Sequence, residues 1–333
     1  MVHPDAAAAA PDVDDEAFDG PSGDAPEHRV TLVDAAFHAG RLDKAVVALA
    51  PEFSRNHLQS LIDGGHVRVN GRVVTKPAAK VHAGESLDVE LVPTPESRAF
   101  RPEDIAIDVV HEDAHVLVVN KPAGMVVHPA AGNWSGTLLN AVLHRHPDAA
   151  SLPRAGIVHR LDKDTSGLMV IGRSLAAVTA LVRAIAAREV HREYLALANG
   201  ALRGEPFSIE APLGRDPQSR VRMAVLAQGR TARTDVTPLA VHVPDEGAPV
   251  SAVRCKLHTG RTHQIRVHLA SRGYPLVADA LYGGRPALGL SRQALHAARL
   301  GFAHPEDGRW VEFEAPLPAD LDTAWRTVAD DAS

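Results

Sequence analysis

Apolar residues recur at helical spacing through Leu42, Val46, Val47 and Leu49 and predict a first helix. Ser54 stands ahead of a second such run, Leu58, Leu61 and Ile62, as an N-cap would, and Gly64-Gly65 ends it. Val67 to Val74 then reads as a hairpin turning at Asn70-Gly71, with Ser86 to Leu91 as a closing strand. Farther along, Val116 to Val119 reads as a buried strand and residues 137–143 as a helix. Ser174 is placed to cap another helix, whose Leu175, Val178, Leu181, Val182 and Ile185 are expected in the core. Tyr194 to Leu197 resumes as a strand. Val253, Cys255 and Leu257 alternate with Arg254, Lys256 and His258, as a half-buried strand with a basic outer face does. Gly260 is expected to turn the chain into a helix that stops at Gly273. With several hairpin-like strands between residues 205 and 243, the pattern predicts an α+β fold on a mixed, largely antiparallel sheet.

One segment breaks this apolar logic. His159-Arg160-Leu161-Asp162-Lys163-Asp164-Thr165-Ser166-Gly167 packs two carboxylates, two cations, an imidazole and two hydroxyls between Ile157-Val158 and Leu168-Met169-Val170-Ile171. A charge run is ordinarily a solvated face. Strand-like runs on both sides instead predict a charged loop fixed at a sheet edge, punctuated by Gly156 and Gly167.

Length and composition narrow the setting. A chain of 333 residues exceeds the usual single domain, so two domains with tails are expected. The single Cys255 excludes an internal disulfide framework and fits a reducing cytoplasm. No signal-peptide pattern opens the chain, and no apolar run is long enough to span a bilayer. Among 19 histidines, His263 and His268 lack metal-site spacing, so no metal is expected. Neither a GxGxxG fingerprint nor a GxxxxGK[ST] loop is present, so no nucleotide cofactor is expected.

The net charge of −6 is unevenly spread. Residues 1–28 carry eight acidic groups with no Lys or Arg, and residues 306–333 are net −6, which leaves residues 29–305 net +8. A nucleic-acid partner needs a local cationic surface rather than a basic whole chain, and the body offers one. Residues 1–28, rich in Ala, Asp, Pro and Gly, cannot bury enough apolar surface to offset ordering and are expected to be a disordered acidic tail. A small domain is expected over 29–92, a Pro-containing linker over 93–103, a large domain over 104–320 and a C-terminal tail over 321–333.

Gly156-Ile157-Val158-His159-Arg160-Leu161-Asp162 followed by Thr165-Ser166-Gly167 resembles the signature loop of the RluA/RluD family of RNA pseudouridine synthases. Further segments agree in family order: Asn120-Lys121-Pro122-Ala123-Gly124 with Val127-His128-Pro129, then Glu193-Tyr194-Leu195-Ala196-Leu197, then Gly260-Arg261-Thr262-His263-Gln264-Ile265-Arg266-Val267-His268. The resemblance covers most of residues 105–318. It implies that uridines in RNA are isomerised to pseudouridine, with the target base turned out of the RNA fold. It also implies Asp162 as the catalytic aspartate, Tyr194 as the active-site tyrosine and Arg266 as the arginine that keeps the aspartate ionised. Arg261, about one helical turn away, is the competing choice, and is otherwise expected to contact RNA. By the same resemblance Arg160 fills the gap left by the flipped base, His159 orders the loop, and Lys163 contacts RNA. His191-Arg192-Glu193 stands where many members carry lysines, which leaves the local RNA contacts open.

The helix-helix-hairpin unit is similar to the RNA-binding domain named after small-subunit ribosomal protein four, with Arg55 and Lys76 as candidate phosphate contacts. Together the two domains imply ribosomal RNA of the large subunit as substrate, free or within a ribosomal particle, acted on by a monomer without cofactors. Two other readings stay open: a nucleoside N-glycosidase that releases the base to water, and a non-catalytic RNA-binding or assembly factor.

Overall fold

The computed structural model describes residues 27–92, 99–130, 132–219 and 221–330. The expected acidic segment therefore lies outside the described residues up to position 26, as do residues 93–98. The chain forms two compact units that meet in sequence between Arg98 and Ala99.

The first unit contains β1 (Glu27–Leu32), β2 (Gly40–Arg41), α1 (Leu42–Leu49), α2 (Arg55–Asp63), β3 (Val67–Val69), β4 (Arg72–Val73), β5 (Lys80–Val81) and β6 (Ser86–Leu91). Strands pair in the order β1-β6-β3-β4, with β2 and β5 paired separately. Ser54 caps α2, accepting from the His57 N–H at 3.2 Å. Asn70 and Gly71 both take positive φ, 50° and 75°, which a two-residue hairpin turn of this hand requires. Leu42, Val46, Leu58, Leu61 and Ile62 pack with Val67, Leu87 and Val89 into one core. The fold starts slightly earlier than expected, because Glu27 and His28 already pair with Leu91 and Glu90.

The second unit is built on a nine-stranded sheet. Its elements are β7 (Asp108–Glu112), β8 (Val116–Lys121), α3 (Leu138–Arg145), β9 (Ser166–Gly172), α4 (Leu175–Ala187), β10 (His191–Asn199), β11 (Phe207–Glu210), β12 (Leu213–Arg215) and β13 (Met223–Val225). They continue with β14 (Arg233–His242), β15 (Val250–Leu257), α5 (Gln264–Ser271), β16 (Leu295–Ala303), β17 (Trp310–Glu314) and α6 (Ala319–Asp330). Strand order is β11-β14-β15-β10-β16-β9-β8-β7, with β17 also on β16, while β12 and β13 pair apart. Every pair in the main sheet is antiparallel except β9 with β16. The fold is α+β with a mixed, largely antiparallel sheet.

All seven residues of β9 are buried, as a strand covered on both faces should be. Its parallel contact is short, His296 to Ser166 and Ala297 to Gly167. Gly167 makes it possible: at φ 118°, an added Cβ would lie 2.3 Å from the Ala297 carbonyl oxygen. The charged loop therefore sits not on a sheet edge but at the end of an interior strand. Only Ile157, bridged to Ile171, represents the expected entering strand.

Three expectations need correction. Residues 321–330 are not a tail: Leu321, Ala324 and Val328 of α6 are buried against Leu197, Val250 and Ala252. The second half of the expected linker belongs to the large unit, since Asn140 donates from Nδ2 to the carbonyls of Ala99 (3.2 Å) and Arg101 (2.8 Å), and Glu103 accepts from Gly136 N–H at 3.0 Å. In α4 the buried stripe is Ala177, Val178 and Leu181, while Leu175 and Val182 face outward. A single helix stripe against a sheet is narrower than the run of apolar residues in this sequence.

Candidate active site

The loop from Ile157 to Thr165 is held mainly by its backbone. Lys121, buried at the end of β8, donates from Nζ to the carbonyls of Pro122 (2.8 Å), Met125 (2.9 Å) and Lys163 (3.1 Å). The Gly124 N–H donates to the same Lys163 carbonyl at 2.9 Å. Burial pushes the Lys121 ammonium down to about 8, against the pull of Asp162 and Asp164. Arg292 donates to the Asp164 carbonyl at 3.0 Å and is itself gripped by Asp320 of α6 at 2.8 and 2.9 Å. Thr165 N–H closes a turn onto the Asp162 carbonyl at 3.1 Å. The peptide groups of 162–165 are thus fixed from three directions while the side chains of Arg160 and Lys163 remain exposed.

Asp162 meets α5 from this platform. Arg266 donates from Nη1 to Asp162 Oδ2 at 3.0 Å, and its Nε and Nη2 form a two-pronged grip on Asp279 at 2.8 Å each. Asp279 is fully buried, and Arg266 is nearly so. Burial alone would lower the guanidinium pKa, but hydrogen bonds to Asp279 and the charges of both aspartates outweigh it and raise it, so Arg266 stays cationic. One arginine is therefore shared by two carboxylates, and its orientation is set by the buried one. Arg261 does not compete for Asp162; its Nε donates to the Thr231 carbonyl at 3.3 Å.

The segment before α5 explains why. The helix begins at Gln264 rather than after Gly260, because His263 takes a left-handed conformation at φ 56° and interrupts it. Gln264 is buried with its amide fully used: its oxygen accepts from Thr259 (2.7 Å) and Arg261 N–H (3.0 Å), and its nitrogen donates to the Arg233 carbonyl and Thr234 at 2.9 Å each. His263 Nε2 stands 3.8 Å from Asp162 Oδ1, and its Nδ1 lies 2.7 Å from the Tyr282 hydroxyl. The Tyr282 ring in turn lies 5.1 Å from the Arg266 guanidinium. Burial pushes the His263 imidazole down despite Asp162, which favours its neutral form. Among the described residues Asp162 Oδ1 has no hydrogen-bond donor, in a carboxylate whose other oxygen is anchored.

Tyr194, on β10, is 5% exposed and belongs to the core cluster that includes Leu161, Ala297 and Ile265. Among the described residues nothing hydrogen-bonds to its phenol, whose pKa is raised first by burial and further by Asp162. His159 accepts through Nε2 from Val170 N–H at 3.1 Å, so it ties the loop to β9 as a neutral ring. Burial, helped by the Arg192 charge, pushes it down to about 3. Of the expected residues, the structure brings together Asp162, Arg266, Tyr194 and His159. Arg160 and Lys163 lie on the same loop, facing outward, and Arg160 forms no ion pair with Asp164. Arg55 and Lys76, in the other unit, are exposed and have no side-chain partner among the described residues. Asp279 and Tyr282 were not found from sequence, and Lys121 was seen only as part of a motif.

The match of residues 115–271 is to the RNA pseudouridylate synthase family, and residues 40–87 match the S4 domain. A protein named ribosomal large subunit pseudouridine synthase D from Neisseria meningitidis serogroup B is 47% identical over 89% of this chain and 80% of its own length. Proteins of the same name from Xanthomonas campestris pv. campestris and Xylella fastidiosa are 45% and 44% identical, covering 89% and 92% of this chain and 91% and 93% of their own. This chain belongs to the RNA pseudouridylate synthase family. A solved human structure, RNA Pseudouridylate Synthase Domain Containing 1, aligns with TM-score 0.53 and 30% identity over 67% of this chain and 89% of that one. As a member of the family, the protein is an isomerase that converts uridine in RNA to pseudouridine. Among the described residues, no group of three or more His, Cys, Asp or Glu could hold a metal ion, and no helix is long and apolar enough to cross a membrane.

Proposed function

We propose that this enzyme modifies uridines of large-subunit ribosomal RNA, with Asp162 as the reacting carboxylate. The observation that carries the reading is the anchored Asp162–Arg266 pair at 3.0 Å, with the Tyr194 phenol close enough to feel the Asp162 charge. The isomerisation breaks the bond from ribose carbon one to nitrogen one and forms a bond to carbon five of the same base. Carbon five loses a proton and nitrogen one gains one, so no redox partner or activated group is needed. A carboxylate kept ionised by a buried guanidinium can add to the base, attack the sugar or remove a sugar proton. All three routes use Asp162 Oδ1. Tyr194 forms the surface on which the extruded base stacks and is the acceptor for the proton from carbon five. Arg160, exposed at the loop crest, fills the stack from which the base has gone, at a flipping cost of roughly a few kcal/mol. Lys163 and Arg261 contact the same RNA.

The substrate class rests on the shared name of the Neisseria, Xanthomonas and Xylella relatives and on the S4 domain match over 40–87. Arg55 and Lys76, exposed and unpaired among the described residues, are suited to RNA phosphates. The test uses ribosomal RNA labelled with tritium at uridine carbon five. Wild-type protein releases tritium, and Asp162→Asn abolishes release while still binding the RNA. Equal release by the variant would remove Asp162 from the chemistry, and free uracil among the products would instead make this a glycosidase.

A further inference from the structure

Two residues before Tyr194 on β10 lies Arg192, a guanidinium that the chemistry above does not use. Arg192 is only 6% exposed, and its Nε is enclosed without a hydrogen-bond partner. Among the described residues no carboxylate pairs with it. A cation taken out of water without a counter-charge is destabilising, and burying one is tolerated where an anion or ligand completes it. Its charge is felt by both His159 and Tyr194, so it lies beside the site already described.

Further cations lie nearby in sequence and on the adjoining Gly260 segment. Gly260 lies over the guanidinium: an added Cβ would be 2.8 Å from Arg192 Nη1, so the backbone lies where a side chain would crowd the group. The next residue, Arg261, has its pKa lowered first by burial and then by the charges of Arg230 and Arg188. Arg188 caps α4 in a left-handed conformation at φ 65°, and Arg230 follows the turn at Gly229. Both are exposed, and neither has an ion-pair partner among the described residues. Arg261, Arg230 and Arg188, from three separate parts of the chain, therefore repel one another, and the first of them follows directly on the Gly260 backbone that covers Arg192. Repulsion of this kind is relieved by an anion, and the planar guanidinium matches phosphate geometry.

We propose that Arg192, buried and unpartnered two residues before Tyr194, binds a backbone phosphate of the RNA next to the target nucleotide. This rests on the reading of Tyr194 as the base platform. Residues i and i+2 of a strand are about 7 Å apart. A nucleotide whose base lies on Tyr194 thus has its backbone within reach of Arg192. The two residues divide the work: the phenol ring takes the base, and the buried cation fixes the chain that carries it.

The test measures binding of a large-subunit ribosomal RNA transcript by the full-length protein across a KCl series. Arg192→Gln raises the dissociation constant about tenfold at low salt and lowers the slope of log Kd against log[KCl] by about 0.7 to 0.9, one phosphate contact. Arg192→Lys retains the slope. The thermal midpoint of Arg192→Gln is equal to or above that of the wild type, because the charge removed had no partner. A wild-type slope in Arg192→Gln overturns the proposal, and a lowered midpoint with that slope makes Arg192 a packing residue. Inorganic phosphate that stabilises wild type but not Arg192→Gln, with no change in RNA slope, overturns the RNA assignment in favour of free phosphate. Because binding is read without turnover, a wild type that releases no tritium refutes the catalytic reading and leaves this measurement intact.

Discussion

Asp279 offers the sharpest test of how the site is assembled, because it touches neither RNA nor Asp162. Its carboxylate receives two 2.8 Å hydrogen bonds from Arg266 in a fully buried setting. Removing one member of a buried pair outright costs about 3–5 kcal/mol. Asp279→Asn keeps the shape and one acceptor but turns an N–H donor toward the guanidinium, so about half of that, roughly 2 kcal/mol, is expected. The catalytic loss is larger than the stability loss suggests. Arg266 positions Asp162 Oδ2 through its third nitrogen, and a displacement of about 1 Å at the reacting group costs on the order of 100-fold in rate. The expected result is therefore a folded protein with a modestly lowered urea midpoint, unchanged RNA affinity and a single-turnover tritium-release rate down about 100-fold. Affinity is untouched because Asp279 is buried and, among the described residues, its carboxylate hydrogen-bonds only to Arg266. A variant with wild-type rate would show that Asp162 finds its place without Asp279. Loss of RNA binding in step with rate would show that the change had spread beyond the site.

His159 carries a pH signature. Its folded-state pKa is depressed to about 3, so between there and the ordinary histidine value the unfolded chain binds more protons than the folded one. Stability from this group is present above about 6.5 and lost as pH falls toward 3. His159→Gln, whose amide oxygen can accept from Val170 N–H without titrating, should flatten the acid side of a urea-midpoint profile from pH 7 to 4.5; an unchanged slope would place the acid sensitivity elsewhere. In the small unit, Arg55→Ala should weaken RNA binding and reduce its salt slope by about one phosphate's worth. An unaltered slope would take Arg55 out of the interface.

Local signals in the chain proved the most readable. Ser54 before its helix and Asn70-Gly71 at its turn act through neighbours a few residues away, so spacing alone reveals them. The pairing of Asp162 with Arg266 was legible only through a family motif, and the choice over Arg261 depended on the left-handed His263 that delays α5. Asp279 gave no signal, because a lone aspartate in a loop is indistinguishable from a solvated one until Arg266 is seen beside it. The last helix was hidden by its own charges. Asp320 and Asp322 make the segment read as acidic tail, while Leu321, Ala324 and Val328 carry a stripe too sparse to stand out before the sheet that receives it is known. Arg192 was noted only as a departure from lysine. Its burial depends on how β10 runs beside Gly260, which no short window shows.

The grip of Asp320 on Arg292, and of Arg292 on the Asp164 carbonyl, ties the reactive loop to the far end of the polypeptide, 128 residues downstream of the loop at Arg292. A nascent chain still on the ribosome can fold its S4 unit and pair β8 with β7 and β9 well before β16 and α6 exist. Until those last elements emerge, the loop lacks two of its anchors, and contacts this distant in sequence form late. The small unit, with a core of its own, can be complete during synthesis, whereas the Asp162 loop gains its last anchor only with the first turn of α6, which carries Asp320. Loss of α6 would leave Arg292 without Asp320 and uncover Leu197, Val250 and Ala252 in the large unit, while the core of the small unit would be untouched.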